Sequence, residues 1–116
     1  MKFGIDPDVL RAIIGDDPEM VREAVEDFLP AAQSGIAEIR AAVDSAVPER
    51  VKTASHKLKG SSCLVGAQQL AEVCAQLEAA GQQGNWGLIQ QLMPRLDGVM
   101  NDVEASAEAF LRQDST

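Results

Sequence analysis

Residues 48–66, PERVKTASHKLKGSSCLVG, followed directly by residues 67–84, AQQLAEVCAQLEAAGQQG, decide how this chain folds. Pro48 stands where a helix can begin, because its fixed φ suits the first turn and the N–H it lacks would have no partner there. Gly66 is placed to stop that helix after about Val65. At about 100° per residue, Val51, Ser55, Leu58, Ser62 and Val65 fall on one side, so this side is predicted to face a core. Ala67 to Ala80 reads as a second helix with Leu70, Val73 or Cys74, and Leu77 inward, ended by Gly81 and Gly84. The turn at Gly66-Ala67 makes the two an antiparallel hairpin.

The same spacing extends in both directions. Ile5 to Gly15 opens with Asp6-Pro7 and carries Val9, Leu10, Ile13 and Ile14, a short helix expected to lie as a lid on the others. Asp17-Pro18 restarts a helix with Met20 or Val21, Ala24 or Val25, Phe28 and Leu29, continued past Pro30 by Ile36, Ile39, Val43 and Val47. This reads as one long helix kinked at Pro30, or two abutting ones, ending before Pro48. Asn85 can cap a last helix to about Arg112, with Ile89, Leu92, Leu96, Val99, Val103, Ala107 and Phe110 in phase and Pro94 as a bend or restart. The predicted fold is all-α, an up-down antiparallel four-helix bundle with a short additional N-terminal helix. Residues 1–116 read as one domain, with Gln113 to Thr116 as a frayed tail.

Composition agrees with this. A chain of 116 residues, 46% apolar, fits one compact domain, and aromatics at 3% leave the core to Leu, Val, Ile, Met and Ala. A net charge of −8 weighs against nucleic acid, whose phosphates attract basic surfaces. No stretch approaches the roughly 18 to 20 apolar residues of a membrane span, and MKFGIDPDVL lacks the apolar centre of a signal peptide. A cytoplasmic location is the expectation. Cys63 and Cys74 lie outside any C-x-x-C arrangement, so reduced thiols are expected rather than a disulfide or zinc site.

Charge is distributed unevenly. No acidic residue occurs between Glu49 and Glu72, yet Arg50, Lys52, Lys57 and Lys59, four of the ten basic residues, fall there. His56, the single histidine, lies within this basic island. One histidine without partner ligands on its face does not make a metal site.

His56, Lys59, Gly60 and Cys63 fall opposite the apolar side of their helix. Glycine in a helix interior costs about 1 kcal/mol relative to alanine, so Gly60 breaks a local rule. Access is one reason to keep it: without a side chain at i+4, another molecule can approach His56. Lys59, at i+3, is within reach of anything attached to the ring, and an ammonium suits a phosphoryl group. In the hairpin Ala67 is the midpoint between His56 and Glu78. Glu78 is therefore a candidate to accept a hydrogen bond from Nδ1 and leave Nε2 as a nucleophile, with Gln68, Gln69 and Gln76 as polar alternatives.

His56-Lys57-Leu58-Lys59-Gly60-Ser61-Ser62-Cys63-Leu64-Val65-Gly66-Ala67-Gln68-Gln69-Leu70 resembles the signature of histidine-containing phosphotransfer (HPt) domains, H-x-[LI]-K-G-[SA]-[SA]-x-x-[LIV]-G-x-x-x-L. The helix count and order extend the resemblance over nearly the whole chain. It implies that His56 accepts a phosphoryl group from the aspartyl phosphate of a response-regulator receiver domain and passes it to another receiver. Lys59 would steady the phosphate and Gly60 would clear space for receiver loops. The family often carries Gln or Glu where Glu78 stands. Leu64 is more apolar than in many members, which suggests a docking surface with Arg50, Lys52, Lys57 and Cys63.

Without a Gly-rich nucleotide loop or a carboxylate cluster for Mg²⁺, the chain is expected to be a carrier and no autokinase, with no cofactor of its own. Mg²⁺ would belong to the receiver. The expected partners are receiver domains and a hybrid sensor histidine kinase, with the chain acting as a monomer. Two rival readings are a helical interaction module that docks a partner without phosphotransfer, and the phosphoacceptor domain of a chemotaxis-type kinase. The second is disfavoured because no further domain follows residue 112.

Overall fold

The computed structural model describes residues 4–114 and contains five helices: α1 (Pro7–Ile14), α2 (Pro18–Asp44), α3 (Pro48–Leu64), α4 (Gln68–Gln83) and α5 (Trp86–Asp114). Among the described residues there is no strand. α2 to α5 form the four-helix bundle, in which each helix packs on its neighbours and α3 against α4 is the most extensive pairing. The extents, 46 × 22 × 21 Å, are those of a rod set by its two longest helices.

Local chemistry explains the starts. Asp6 and Asp17 accept from the backbone N–H groups of Asp8 and Glu19, and Pro7 and Pro18 follow them in the first turn. Asn85 Oδ1 accepts from the N–H of Leu88 and so caps α5. Both interior prolines are tolerated: α2 runs unbroken through Pro30 and α5 through Pro94, each on an exposed side.

The inward face of α3 is the predicted one, with Val51, Ser55, Leu58, Ser62 and Val65 all buried. They meet Leu10, Val25, Ile39, Leu70, Leu77, Ile89 and Leu96 in a single core. A fully buried leucine of this kind contributes roughly 1.5–3 kcal/mol. Val21 is buried where Met20 is exposed, and both Val73 and Cys74 are buried.

Three boundaries differ from the sequence reading. α2 stops at Asp44, because Ala46 takes a left-handed φ of 56° and leaves Val47 as the cap of α3. Ala42 is consequently buried, whereas Val43 and Val47 are only half-buried. Gly81 does not end α4; the helix passes through it and ends at Gly84, whose φ is 65°. Gln113 and Asp114 belong to α5 rather than to a tail, and Ser115 and Thr116 lie outside the described residues. Leu111 packs on the core there, and Arg22 of α2 donates to its carbonyl at 2.8 Å, satisfying one of the acceptors that a helix end leaves open.

α1 sits on the turn between α3 and α4. The N–H of Asp6 donates to the carbonyl of Val65 at 2.8 Å. Gly66 is required on two counts: its φ is 70°, and a Cβ would stand 2.6 Å from Cβ of Asp6.

Candidate functional site

His56 projects from the outer face of α3 with its side chain 68% exposed. Its Nδ1 lies 2.8 Å from Oε2 of Glu78 on α4, the pairing the hairpin midpoint predicts, so Glu78 rather than Gln68, Gln69 or Gln76 takes the ring. Lys59, one turn beyond His56, donates from Nζ to Oε1 of the same carboxylate at 2.6 Å. One half-buried glutamate thus holds both groups, one on each oxygen.

The electrostatics follow from that geometry. The carboxyl of Glu78 is held below its ordinary 4.5, chiefly by the hydrogen bond from Lys59; the bond with His56 acts in the same direction, and partial burial opposes both. An ionised carboxylate only accepts, so Nδ1 must carry the hydrogen of the shared bond. In a neutral ring, Nε2 then holds the free lone pair, away from Glu78.

Gly60 is exposed, and a Cβ there would meet no heavy atom within 4 Å. No contact inside the folded chain requires this glycine. It contrasts with Gly66, and with Gly81, where a Cβ would stand 2.9 Å from both the backbone nitrogen of Lys52 and the carbonyl oxygen of Pro48.

The basic island is divided around α3. Lys57 leans toward α2, with Nζ 3.9 Å from Oε1 of Glu38, and Arg50 shares a shallow hollow with Glu38, Thr53 and Ala54. Lys52 lies on the α4 side beside Gly81, and Lys59 is bonded to Glu78. Cys63 and Leu64 are exposed. Val9 and Ile13 of α1, whose spacing reads as core, are 37% and 58% exposed. Val9 lies against the turn, its Cβ 3.0 Å from where a Cβ on Gly66 would stand; with Ile13, Leu10 and Ile14 it forms one apolar face about 140° wide, broader than the core covers.

Both cysteines are free; Cys74 is buried, and burial pushes its thiol up to about 12. Among the described residues no group of three or more His, Cys, Asp or Glu could hold a metal ion, and no helix is long and apolar enough to cross a membrane.

The fold is thus a helical bundle that presents an exposed histidine, its ring bonded to a carboxylate and flanked by a lysine and an uncontacted glycine. The family model described as "Hpt domain" matches residues 23–106, and the chain belongs to this family. Its function is histidine phosphotransfer in a phosphorelay, with response-regulator receiver domains as the class of partner. Among solved structures, the chain is similar to histidine-containing phosphotransfer protein B (HptB) from Pseudomonas aeruginosa PAO1, with a TM-score of 0.80 and 19% identity over 95% of this chain and 92% of that one. That likeness carries the fold. Among curated protein sequences, none matches the chain.

Proposed function

We propose that His56 is the phosphoacceptor, taking a phosphoryl group on Nε2 from a receiver's aspartyl phosphate and passing it to the aspartate of another receiver. The 2.8 Å bond between Nδ1 and Glu78 carries this reading, because it fixes the tautomer whose free lone pair faces the solvent. As the lone pair attacks in line, the N–P bond forms, the P–O bond breaks, and its electron pair leaves with the aspartate carboxylate. Catalysis here is mostly positioning and charge neutralisation. Lys59 supplies positive charge one turn from the ring, and Gly60 leaves room for the partner's loops.

The chain acts as a carrier without nucleotide binding or autokinase activity, and needs no cofactor; Mg²⁺ belongs to the receiver. It works as a cytoplasmic monomer, released after each transfer, and a hybrid sensor kinase is among its donors. Lys52, Cys63 and Leu64 flank the docking face, with Arg50 and Lys57 at its border toward α2. The four basic groups steer an acidic receiver pocket, so transfer slows as salt rises, and salt-independent rates would count against steering.

The test is to incubate the protein with receiver domains phosphorylated by a small-molecule donor and Mg²⁺. Acid-labile, alkali-stable phosphate is expected on the wild type and not on His56→Gln. Label persisting in that variant would place the acceptor elsewhere. A folded wild type that takes no label from any receiver would overturn the carrier role.

A further inference from the structure

Resting on the reading of His56 as phosphoacceptor, we propose that Glu78 keeps Nδ1 of His56 protonated while Nε2 carries the phosphoryl group, holding the phosphohistidine in its transferable imidazolium form. The protonation of Nδ1 decides what leaves when the group moves on. With Nδ1–H in place, the acceptor aspartate oxygen attacks phosphorus, the N–P electron pair returns to Nε2, and the departing ring is a neutral imidazole. Without that hydrogen the leaving group would be an imidazolide anion, which is far more basic and leaves far more slowly. Neither acceptance nor release then requires a proton to move, since the hydrogen on Nδ1 stays in place throughout.

An imidazolium in water gives up its proton at roughly pH 6.5, so this form needs support near neutrality. On α3, Lys52 stands one turn before His56, Lys57 is the next residue and pairs with Glu38 of α2, and Lys59 stands one turn after and is bonded to Glu78. From α4 the facing carboxylate is Glu78; Cys63 and Cys74, farther along the hairpin, contribute thiols. Glu78 is therefore the group placed to hold the proton. Loss of that proton would set a carboxylate oxygen against a nitrogen lone pair 2.8 Å away, two acceptors with no hydrogen between them. The separate oxygens matter as well. Lys59 uses Oε1 and the ring uses Oε2, so Lys59 can turn toward the phosphoryl group without breaking the bond to Nδ1.

A Glu78→Gln variant tests this, because an amide can either accept from Nδ1–H or donate to a bare Nδ1 and so imposes neither state. The full chain, labelled with ¹⁵N-histidine and phosphorylated through receiver domains charged by the small-molecule donor and Mg²⁺, is titrated by NMR through the ring nitrogens. Nδ1 in the wild type is expected to stay protonated at least about one pH unit higher than in the variant, equivalent to a tenfold difference in proton affinity. Transfer from the phosphorylated protein to one receiver is followed in parallel. Between pH 6.5 and 8 the wild-type rate should hold within about twofold after normalisation to a phosphohistidine-independent receiver control, while that of Glu78→Gln falls several-fold more. Glu78→Ala, checked by circular dichroism, guards against misfolding of a single variant. Coincident ring titrations in wild type and both variants, all phosphorylated on His56, would overturn the proposal and leave the carrier reading standing. Absence of phosphate on wild-type His56 would overturn both.

Discussion

Gly81 of α4 and Lys52 of α3 approach so closely that a Cβ on the glycine would stand 2.9 Å from the lysine's backbone nitrogen. His56 is one turn beyond Lys52, and Glu78 is one turn before Gly81. The close crossing of the two backbones therefore lies beside the bond between ring and carboxylate, and sets how far Glu78 must reach.

Replacing Gly81 with alanine should push α3 and α4 apart, because the atoms a new Cβ would meet are backbone, which cannot swing aside as a side chain would. Overpacking of this kind costs about 1–3 kcal/mol. Denaturant unfolding should show that loss. Phosphotransfer by the folded fraction should also slow as Glu78 draws away from His56.

Gly60→Ala should behave in the opposite way toward stability. Its Cβ enters open space, so the helix gains roughly 0.5–1 kcal/mol from alanine's higher propensity. If Gly60 clears room for receiver loops, phosphotransfer falls even as the melting temperature rises. Thermal unfolding and transfer kinetics on the same sample check both signs, and an unchanged rate would remove the access role.

Acid should weaken the fold through Glu78. Its carboxyl is lowered in the folded chain, first by Lys59, so the folded state holds fewer protons than the unfolded state. The stabilisation is complete above the ordinary 4.5 and is lost as pH falls below that value through the folded pKa. Urea unfolding of wild type and Glu78→Gln at pH 7 and across the range below 4.5 should give curves that converge toward the acid end.

Ser55→Ala should stabilise the bundle. The Ser55 hydroxyl is fully buried and has no hydrogen-bond partner, whereas the equally buried Ser62 donates to the carbonyl of Leu58 at 2.7 Å. An unsatisfied buried polar group costs on the order of 1–3 kcal/mol, so its removal should raise the melting temperature by a few degrees. Ser62→Ala, which deletes a satisfied hydroxyl, should give no such gain.

The site was legible to different depths. His56, Lys59 and Gly60 share a face because they are three and four residues apart on one helix, and that periodicity is a local property. Glu78 could be nominated from the hairpin midpoint alone, since the short turn at Gly66 fixes which residues lie abreast. Its simultaneous hold on Lys59 could not, because that depends on how deep α4 lies against α3. The division of the basic island was hidden for the same reason: Lys57 pairs with Glu38, and Arg50 shares a hollow with it, only once α2 is packed in place.

The sequence by itself determined five helices, the inward face of α3 and the outward histidine, because apolar spacing and capping residues act within a few residues of one another. Tertiary structure alone decided the meaning of the glycines and of α1. Gly81 looks like a helix terminator until α3 is packed on it, Gly66 is fixed by Asp6 from sixty residues away, and Ile13 reads as core until α1 is seated on the turn, where Val9 meets Gly66 at the rim and Ile13 is left exposed. Those outcomes depend on which surfaces meet across the bundle, and excluded volume between distant segments leaves no periodic trace in the chain.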